Sequence, residues 1–196
     1  MNAKAAPNSD KAKKSQEQIE AIVKVAHRLF EKNGYEHVGM REISAAAQKS
    51  PMQLYRLGLD KKDLLAEVII QVNAKQIKKL KPFAANPEIS AELFIENYLL
   101  NLYQQDIEIK SIRKEGAAFG WKWSGKYEVR IIEQLMHIIK PIADALEHEG
   151  FQDIQARCFA IWSLYYVGYR NAVMNDVDAQ ACLDSIKPSL KLLLRK

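Results

Sequence analysis

The sequence predicts an all-α protein, and three observations support this fold class. Of its 196 residues, 48% are apolar, so the chain can bury a sizeable core. Glycine and proline are scarce, at 8 and 6 residues, which favours helices joined by short turns over strands and hairpins. Apolar residues also recur at helical spacing along most of the chain.

The basic excess of the chain lies in its N-terminal part. The net charge is +5, and residues 1–63 hold 12 Lys and Arg against 8 Asp and Glu, whereas the remainder holds 17 against 16. Residues 1–14, with Lys11, Lys13 and Lys14, are expected to form a flexible basic arm. Such an arm attracts polyanions, although a solvated tail without a partner has the same composition.

The first helix is predicted to begin after this arm. Ser15-Gln16-Glu17-Gln18 has the form of a capping box, and Gly34 after Asn33 is a typical C-terminal stop. The apolar residues that follow at helical spacing are Ile19, Ile22, Ala26, Leu29 and Phe30.

Two short helices separated by a three-residue turn are predicted next. A segment from about Met40 to Ala47 is followed by Ser50, a favourable N-cap, and Pro51, a favourable first helical residue. The residues that can face one small core between these helices are Ile43, Ala47, Leu54 and Leu57. Two short helices that leave each other at a steep angle are typical of a helix-turn-helix, which places one helix in a DNA groove.

Six further helices are predicted, which makes nine in all. They span about residues 61–81, 88–105, 107–123, 126–149, 152–175 and 178–195. Pro141 should kink the helix that contains it, because proline removes one backbone hydrogen bond. The longest uncharged run covers residues 158–169, well short of the roughly 18 to 20 residues that a membrane span needs.

Several motifs occur in a fixed order between residues 16 and 65. They are LFEKNGY at Leu29–Tyr35, Arg41-Glu42-Ile43, the S-x-x-x-LYR pattern at Ser50–Arg56 and the K-x-x-LL pattern at Lys61–Leu65. In order and spacing this segment resembles the tetracycline-repressor (TetR) family of ligand-responsive transcriptional regulators. The resemblance implies a helix-turn-helix DNA-binding domain at residues 15–60, and an effector-binding and dimerisation domain at residues 61–196.

The chain departs from the family pattern around the two short helices. Gln48-Lys49 stands where the family usually has Gly-Val, Gly58 stands where it usually has an aromatic residue, and Gly39 stands where many members have threonine. A non-glycine residue at a turn position that needs positive φ costs about 1 kcal/mol. A differently shaped turn is therefore one expectation for this chain.

The resemblance implies that the helix from Pro51 enters the major groove. Gln53 is the expected direct reader, because its amide can pair with adenine for about 1–3 kcal/mol of discrimination. Met52 is expected near a thymine methyl group, and Arg41 near a base or a phosphate. The remaining expected DNA-binding residues are Gly39, Lys49, Ser50, Tyr55, Arg56 and Lys61. Tyr55 as a core residue, Gln53 as an exposed amide and Lys61 as a solvated helix start stay open as alternatives.

The family architecture also implies an effector pocket in the middle helices and a homodimer interface on the last two. The aromatic residues expected to line the pocket are Tyr98, Tyr103, Phe119, Trp121, Trp123 and Tyr127. The apolar residues expected in the interface are Trp162, Tyr165, Tyr166, Tyr169, Val173, Ile186, Leu190 and Leu193. Ordinary burial within one chain remains the alternative for both sets.

Two other functional classes stay open. His137, Asp144 and His148 lie near one face of a predicted helix and suggest a metal-dependent or acid/base enzyme, although the sequence has no HExxH motif. A helical dimer that has lost DNA binding is the second alternative, motivated by Gln48, Lys49 and Gly58.

The sequence thus predicts a transcriptional repressor rather than an enzyme. It is expected to bind a palindromic double-stranded DNA operator as a homodimer, to be released by a small-molecule effector, and to use no cofactor and no metal. No signal-peptide run is evident, so a cytoplasmic protein with reduced Cys158 and Cys182 is expected.

Overall fold

The computed structural model describes residues 7–85, 88–119 and 125–195, and this part of the chain is all-α. Its nine helices are α1 (Pro7–Asn33), α2 (Met40–Ala46), α3 (Pro51–Arg56), α4 (Lys61–Ile77), α5 (Ala91–Glu108), α6 (Lys110–Phe119), α7 (Gly125–His148), α8 (Ile154–Met174) and α9 (Ala179–Leu193). The predicted fold class and number of helices are confirmed for the described residues.

Helix α1 begins earlier than the sequence pattern predicts. It starts at Pro7, so Ser15 is an interior, partly buried residue and the expected capping box there is wrong. Proline suits a first helical position, because its φ angle is already helical and its missing N–H would have no partner there. The expected flexible arm is accordingly helical from Pro7 onward, with Lys11 and Lys14 exposed on its first turns.

The helices enclose two main apolar cores. One lies among α1, α2, α3, α4 and α6, and its most deeply buried side chains include Ile22, Phe30, Ile43, Leu54, Leu64 and Ile112. The other lies among α5, α7, α8 and α9, and its most deeply buried side chains include Ile95, Leu99, Tyr103, Ile142, Ile161 and Leu190. The predicted small core of the two short helices is therefore part of the first of these cores.

Helix α4 connects the two halves because it is covered on several sides. Every residue from Leu64 to Ile70 is buried, and α1, α6 and α7 all pack against the helix. Ala66 and Ile70 form a third, small cluster with Tyr127 of α7. A helix that is apolar nearly all round must be buried nearly all round. The division of the chain at residue 60 stays a prediction.

Other sequence expectations concern single residues and segments. Cys158 and Cys182 are both free and buried. Pro141 is buried inside α7, where a kink remains a prediction. None of the helices that the structure describes combines the length and the apolar character needed to cross a membrane.

Gly168 allows α8 to lie close to α5. A Cβ atom at this position would overlap the ring and hydroxyl of Tyr103, which is fully buried and donates a hydrogen bond of 3.1 Å to the Tyr165 carbonyl. The tyrosine ring therefore occupies the space that any other residue would fill at position 168.

We expect Gly168→Ala to destabilise the protein by about 1–3 kcal/mol, because an added methyl group in a packed core displaces its neighbours. Chemical denaturation monitored by circular dichroism measures this change. Gly125→Ala is the matched control, since a Cβ atom there meets nothing within 4 Å. Equal stabilities of the two variants would contradict the close approach.

Candidate nucleic-acid interface and ligand cavity

The turn between α2 and α3 keeps a left-handed residue at the position where glycine is usual. Gln48 has φ 54°, its N–H donates to the Ala45 carbonyl at 3.0 Å, and the Lys49 N–H donates to the Ser44 carbonyl at 2.9 Å. These two bonds form a Schellman motif that ends α2. The turn therefore keeps the left-handed conformation instead of the different shape that the sequence predicted, and this conformation strains the backbone at Gln48.

Helix α3 starts with a complete capping box. Ser50 Oγ accepts from the Gln53 N–H at 3.3 Å, Gln53 Oε1 accepts from the Ser50 N–H at 2.8 Å, and Pro51 occupies the first helical position. The predicted restart of the helix at Ser50 is confirmed. These bonds give both Ser50 and Gln53 a structural role in addition to any contact with DNA.

The end of α3 is set by Gly58. This residue has φ 71°, its N–H donates to the Tyr55 carbonyl at 2.9 Å, and the Leu59 N–H donates to the Leu54 carbonyl at 3.1 Å. The Gly58 carbonyl in turn accepts a 3.2 Å hydrogen bond from Lys126 Nζ at the start of α7. Glycine at this position therefore provides a second Schellman motif and a contact to the other half of the chain.

The outer surface of α2 and α3 is exposed and carries cations. Met52 is 65% exposed and Tyr55 is 54% exposed, so Tyr55 does not close the small core. The other predicted contact residues that are exposed here are Gly39, Arg41, Lys49, Ser50, Gln53 and Arg56. Exposed apolar and hydrogen-bonding side chains on a short helix with flanking cations suit a nucleic-acid interface.

Two of the predicted contact residues are held by the protein itself. A two-point contact between Gln53 and adenine requires its Oε1 atom to leave the Ser50 N–H, although its amide N–H groups remain available. Lys61 Nζ lies 4.2 Å from the centre of the Tyr35 ring and donates to the Glu36 carbonyl at 3.3 Å. Lys61 therefore fastens α4 to the chain before α2 instead of extending into solvent.

A cavity of about 250 Å³ lies between α4, α5, α6, α7 and α8. Its walls are mostly aliphatic and aromatic. The aliphatic and small residues are Ile69, Leu80, Leu102, Gly116, Ala117, Ile131, Leu135 and Ile138. The aromatic residues are Trp162, Tyr165, Tyr166 and Tyr169. Its polar residues are Asn73, Gln76, Asp106 and Arg113. Mostly apolar walls with a few convergent polar groups are typical of ligand pockets.

An ion pair forms the centre of the polar group. Arg113 Nε lies 2.8 Å from Asp106 Oδ1, although its N–H is not aligned for a hydrogen bond. Arg113 Nη1 donates to Asn73 Oδ1 at 2.7 Å and Nη2 donates to Gln76 Oε1. The Tyr165 hydroxyl donates to Asp106 Oδ2. Sequence reasoning missed this pair, because charged residues are rarely buried and neither residue belongs to a motif.

Burial and pairing have opposite effects on the two charges. Burial raises the pKa of the Asp106 carboxyl, while the Arg113 guanidinium and the Tyr165 hydroxyl oppose that rise. Burial also disfavours the charged form of Arg113, but the Asp106 carboxylate more than offsets this effect, so the pKa of the guanidinium is raised. Since arginine stays protonated in proteins, the two residues form a neutral pair of opposite charges.

The aromatic residues predicted for the pocket lie elsewhere. Tyr98, Tyr103 and Tyr127 are buried, and their hydroxyls donate to the Ile138 carbonyl at 2.8 Å, the Tyr165 carbonyl at 3.1 Å and Asp63 Oδ1 at 2.7 Å. None of the three lines the cavity. A buried tyrosine packs its ring and pairs its hydroxyl within the core, so the three residues have structural roles in the described chain, and their contact with an effector stays a prediction. Trp121, Trp123 and the side chain of Phe119 lie outside the described residues.

Polar contacts connect α4 to α7 along one side of the cavity. Arg130 binds both oxygens of Glu67, at 2.6 and 3.0 Å. Gln134 donates to the Ile70 carbonyl at 2.8 Å and accepts from Asn73 at 3.0 Å. These contacts fix the separation of two helices that both contribute cavity walls.

Asp63 continues this row of contacts to the start of α4. Burial opposes ionisation of Asp63, but hydrogen bonds from the Asp60 N–H and the Tyr127 hydroxyl, together with Lys126, more than offset it and lower the pKa of the carboxyl. Asp63 also forms a capping box with Asp60 at the start of α4. The N-terminus of α7 is therefore attached to the first turn of α4, next to the end of α3.

The residues that suggested an enzyme do not form a ligand set. Asp144 pairs with Lys140 at 2.7 Å, and the His148 ring lies 5.4 Å from that of Phe83. Within the described part of the chain, no group of three or more His, Cys, Asp or Glu residues is placed to hold a metal ion.

Residues 22–68 match the sequence profile of bacterial regulatory proteins of the tetR family. This segment, which runs from within α1 to within α4 and contains α2 and α3, is therefore of the tetR type. The resemblance inferred from the motifs and the helix-turn-helix assignment are therefore confirmed. No curated protein matches the chain in sequence over its length.

Solved structures of transcriptional regulators share the fold of this chain. A TetR-family transcriptional regulator from Pectobacterium atrosepticum is 24% identical, with a TM-score of 0.66 and coverage of 93% of this chain and 94% of that one. The regulator FadR from Bacillus subtilis, in complex with stearoyl-CoA, is 16% identical, with a TM-score of 0.62 and coverage of 89% and 97%.

A third neighbour is another FadR protein that was solved with a bound ligand. The TetR-family transcriptional repressor FadR from Thermus thermophilus, in complex with lauroyl-CoA, is 18% identical, with a TM-score of 0.62 and coverage of 90% of this chain and 93% of that one. At these identities the likeness establishes the fold, and ligands bound by the neighbours are properties of those proteins.

The predicted dimer residues are largely buried within the chain. Tyr165, Val173, Ile186 and Leu190 belong to the interior, and Leu193 is partly buried. The other three predicted residues, Trp162, Tyr166 and Tyr169, line the cavity. Seven of the eight residues are thus buried or partly buried within the chain, whereas Tyr166 is 49% exposed, and their part in a dimer interface stays a prediction.

A different face of α8 is exposed and apolar. Phe159 is 75% exposed, and Tyr166, Val167 and Met174 are exposed on the same side of the helix. We name these four residues the α8 outer stripe. Leu192 of the neighbouring α9 is also exposed. The exposed Ser163 and Arg170 lie between these apolar side chains on the same side of the helix.

We expect Gln48→Gly to stabilise the protein by about 0.5–1 kcal/mol. Glycine removes the cost of the left-handed conformation, and the greater freedom of the unfolded chain cancels part of the gain. Denaturant unfolding measures the difference.

Gln48→Ala is the control for this substitution. Alanine removes the same exposed side chain but keeps the strained φ angle, so its stability should lie within about 0.5 kcal/mol of the wild type. A gain of the same size from alanine would show that strain at position 48 is not the cause.

Proposed function

We propose that this chain is a transcriptional repressor that binds an inverted-repeat operator as a homodimer and leaves it when a small molecule occupies the cavity. The observation that carries the proposal is the exposed surface of α2 and α3, held by two Schellman motifs and a capping box inside a TetR-family domain. The fold of the FadR neighbours, which were solved with acyl-CoA ligands, supports the ligand-responsive part.

The proposed DNA contacts follow from exposure and chemistry. Met52 and Tyr55 are both more than half exposed on α3, one suited to a thymine methyl group and the other to a phosphate. Gln53 contributes an amide donor. Further residues are proposed to contact phosphates, which positions α3 without reading bases. These cations and N–H donors are Gly39, Arg41, Lys49, Ser50, Arg56 and Lys61.

Helix α4 supplies the proposed coupling between cavity and operator. Ile69, Asn73 and Gln76 form part of the cavity wall, while the first turn of the same helix adjoins α3. A ligand can shift the population of DNA-binding conformers only if it binds one conformer better. We name α2 and α3 of one chain, with the turn between them, the reading head. In the proposal, the filled cavity favours a position of α4 that moves the two reading heads of the dimer out of register with adjacent major grooves.

The alternative of a dimer that has lost DNA binding is weakened by the same geometry. Gln48 and Gly58 were the departures that motivated it, and both adopt the left-handed conformation that ends a helix cleanly. Lys49 is exposed rather than placed in the core. The reading head therefore keeps a usable shape in spite of its unusual residues.

Selection from random duplexes should enrich an inverted repeat, and Gln53→Glu should change base preference at one position in each half-site. Glutamate keeps the oxygen that accepts from the Ser50 N–H but loses the amide donor that we assign to a base. Repeating the selection with the variant measures the change.

Lys61→Met is the companion variant for the phosphate role. It keeps an apolar stem against Tyr35 and removes the charge, so it should weaken binding to all duplexes about equally and lower the salt dependence. Identical effects of the Gln53 and Lys61 variants would contradict the assigned roles, and the absence of any enriched repeat would favour the alternative function.

Val167→Lys should dissociate the homodimer, because it places a charge in the centre of the α8 outer stripe, which we propose as the interface with a second copy. Light scattering after size-exclusion chromatography measures the molar mass. Circular dichroism should show an unchanged helix content, since Val167 is exposed in the single chain.

Val129→Lys is the matched control on α7. Val129 is 63% exposed and has exposed apolar neighbours at Ile132 and Met136, so it tests the other apolar surface of the chain. Loss of the dimer with this variant but not with Val167→Lys would move the interface to α7.

A further inference from the structure

The chemistry of the cavity restricts what it can bind. It is one compact space of about 250 Å³, smaller than the roughly 300–1,000 Å³ of pockets for drug-sized ligands. Its walls include two pairs of neighbouring rings, with centroids 4.7 Å apart for Trp162 and Tyr165 and 5.4 Å apart for Tyr166 and Tyr169. Such walls favour a flat ring system over a long flexible chain.

Each side-chain oxygen at the polar end of the cavity already has a partner among the described residues. Asp106 accepts from Tyr165 and faces Arg113, while Asn73 Oδ1 and Gln76 Oε1 each accept from Arg113. The donors of a ligand would compete with Tyr165 and Arg113 for these oxygens, and a positively charged ligand would be repelled by the guanidinium. The polar end therefore disfavours cations and pure donors.

Donors remain available at the same place. A guanidinium carries five N–H bonds, and in the described structure one on Nη1 and one on Nη2 have acceptors while the Nε N–H is not aligned with Asp106. One N–H on each terminal nitrogen is left for a ligand. A buried donor without an acceptor is costly, so an acceptor atom placed there is favoured.

An anionic acceptor is less suitable than an uncharged one. Asp106 already neutralises Arg113 at 2.8 Å, so a ligand carboxylate bound to the same guanidinium would lie close to a second negative charge. Like charges at that distance disfavour ionisation, and Arg113 is the one cation among the described lining residues.

We propose that the cavity binds an uncharged aromatic molecule of about two fused rings whose carbonyl oxygen accepts hydrogen bonds from Arg113. The regulatory consequence of binding rests on the proposed function, whereas binding itself is a property of the cavity. The proposal distinguishes this chain from the FadR neighbours that were solved with stearoyl-CoA and lauroyl-CoA.

Equilibrium dialysis of the full chain without DNA tests the assignment with probes of similar shape. The probes are 2-acetylnaphthalene, with a neutral carbonyl, 2-naphthoate, with a carboxylate, 2-isopropylnaphthalene, with no acceptor, and lauroyl-CoA. We expect 2-acetylnaphthalene to bind at least about tenfold more tightly than each of the others, which is the usual effect of a hydrogen bond to a charged donor.

The probe series alone can overturn the proposal. Tighter binding of 2-naphthoate would show a preference for anions, equal binding of 2-isopropylnaphthalene would remove the role of the carbonyl, and preferential binding of lauroyl-CoA would replace a compact ligand by an acyl chain. No binding of any probe would also contradict it.

Variants locate the bound molecule. Ile131→Trp fills the cavity and should abolish binding of 2-acetylnaphthalene, whereas Ile132→Trp, at the next and exposed position of α7, should leave it unchanged. Equal effects of the two would place the ligand elsewhere. The double variant Asp106→Asn with Arg113→Met removes both charges together. It should abolish the preference for 2-acetylnaphthalene over 2-isopropylnaphthalene. If this variant does not fold, the probe series on the wild-type protein decides whether the proposal holds.

Operator affinity is measured separately with and without 2-acetylnaphthalene. Release from DNA on binding supports both proposals. Binding without any change in operator affinity supports the ligand class and contradicts the ligand-responsive function, so the two failures are distinguishable.

Discussion

The burial of α4 on several sides is the constraint on which the rest of the structure depends. Seven consecutive residues, Leu64 to Ile70, are buried because α1 and α6, which share the first core with α4, cover one part of the helix and α7 covers another. A helix in this position cannot move against one neighbour without disturbing the others, since packed interiors do not deform continuously. Helix α4 therefore links the reading head mechanically to the cavity.

The second defining interaction is the ion pair between Asp106 and Arg113. Removing two charges from water is expensive, and a buried pair is rarely a net source of stability compared with apolar residues of the same size. Here the pair is surrounded by hydrogen bonds from Tyr165 and to Asn73 and Gln76. Its value lies in specificity, because it fixes the orientation of donors at the end of an otherwise apolar space.

Local signals were sufficient to predict the reading head and insufficient to predict the cavity. The start of α3 depends on Ser50 and Pro51, which act within one turn of the chain, so the sequence pattern contains the whole cause. The start of α1 was misplaced because a capping-box pattern at Ser15 is only a preference, and a helix that already continues from Pro7 has no need of it.

The buried face of α8 could not be predicted from its sequence for a different physical reason. Phe159, Ile161, Tyr165 and Val167 show that apolar residues occur on several sides of this helix, so helical periodicity identifies no single buried face. Which side is covered depends on α5, α6, α7 and α9, whose positions are not contained in the spacing of α8 itself. Burial of the Asp106 and Arg113 side chains is likewise decided by distant neighbours.

The unusual glycine at position 58 shows how a departure from a family pattern can add a contact instead of removing one. A Cβ atom at Gly58 would lie 4.0 Å from Lys126 Nζ, so a large aromatic side chain would compete for the space through which Lys126 reaches the Gly58 carbonyl. Helix α7 begins at this contact and carries Ile131 and Leu135 in the cavity wall two to three turns later. Any displacement of α7 by a bound molecule must therefore move or break a hydrogen bond to the last turn of α3, which gives the cavity a second connection to the reading helix beside α4.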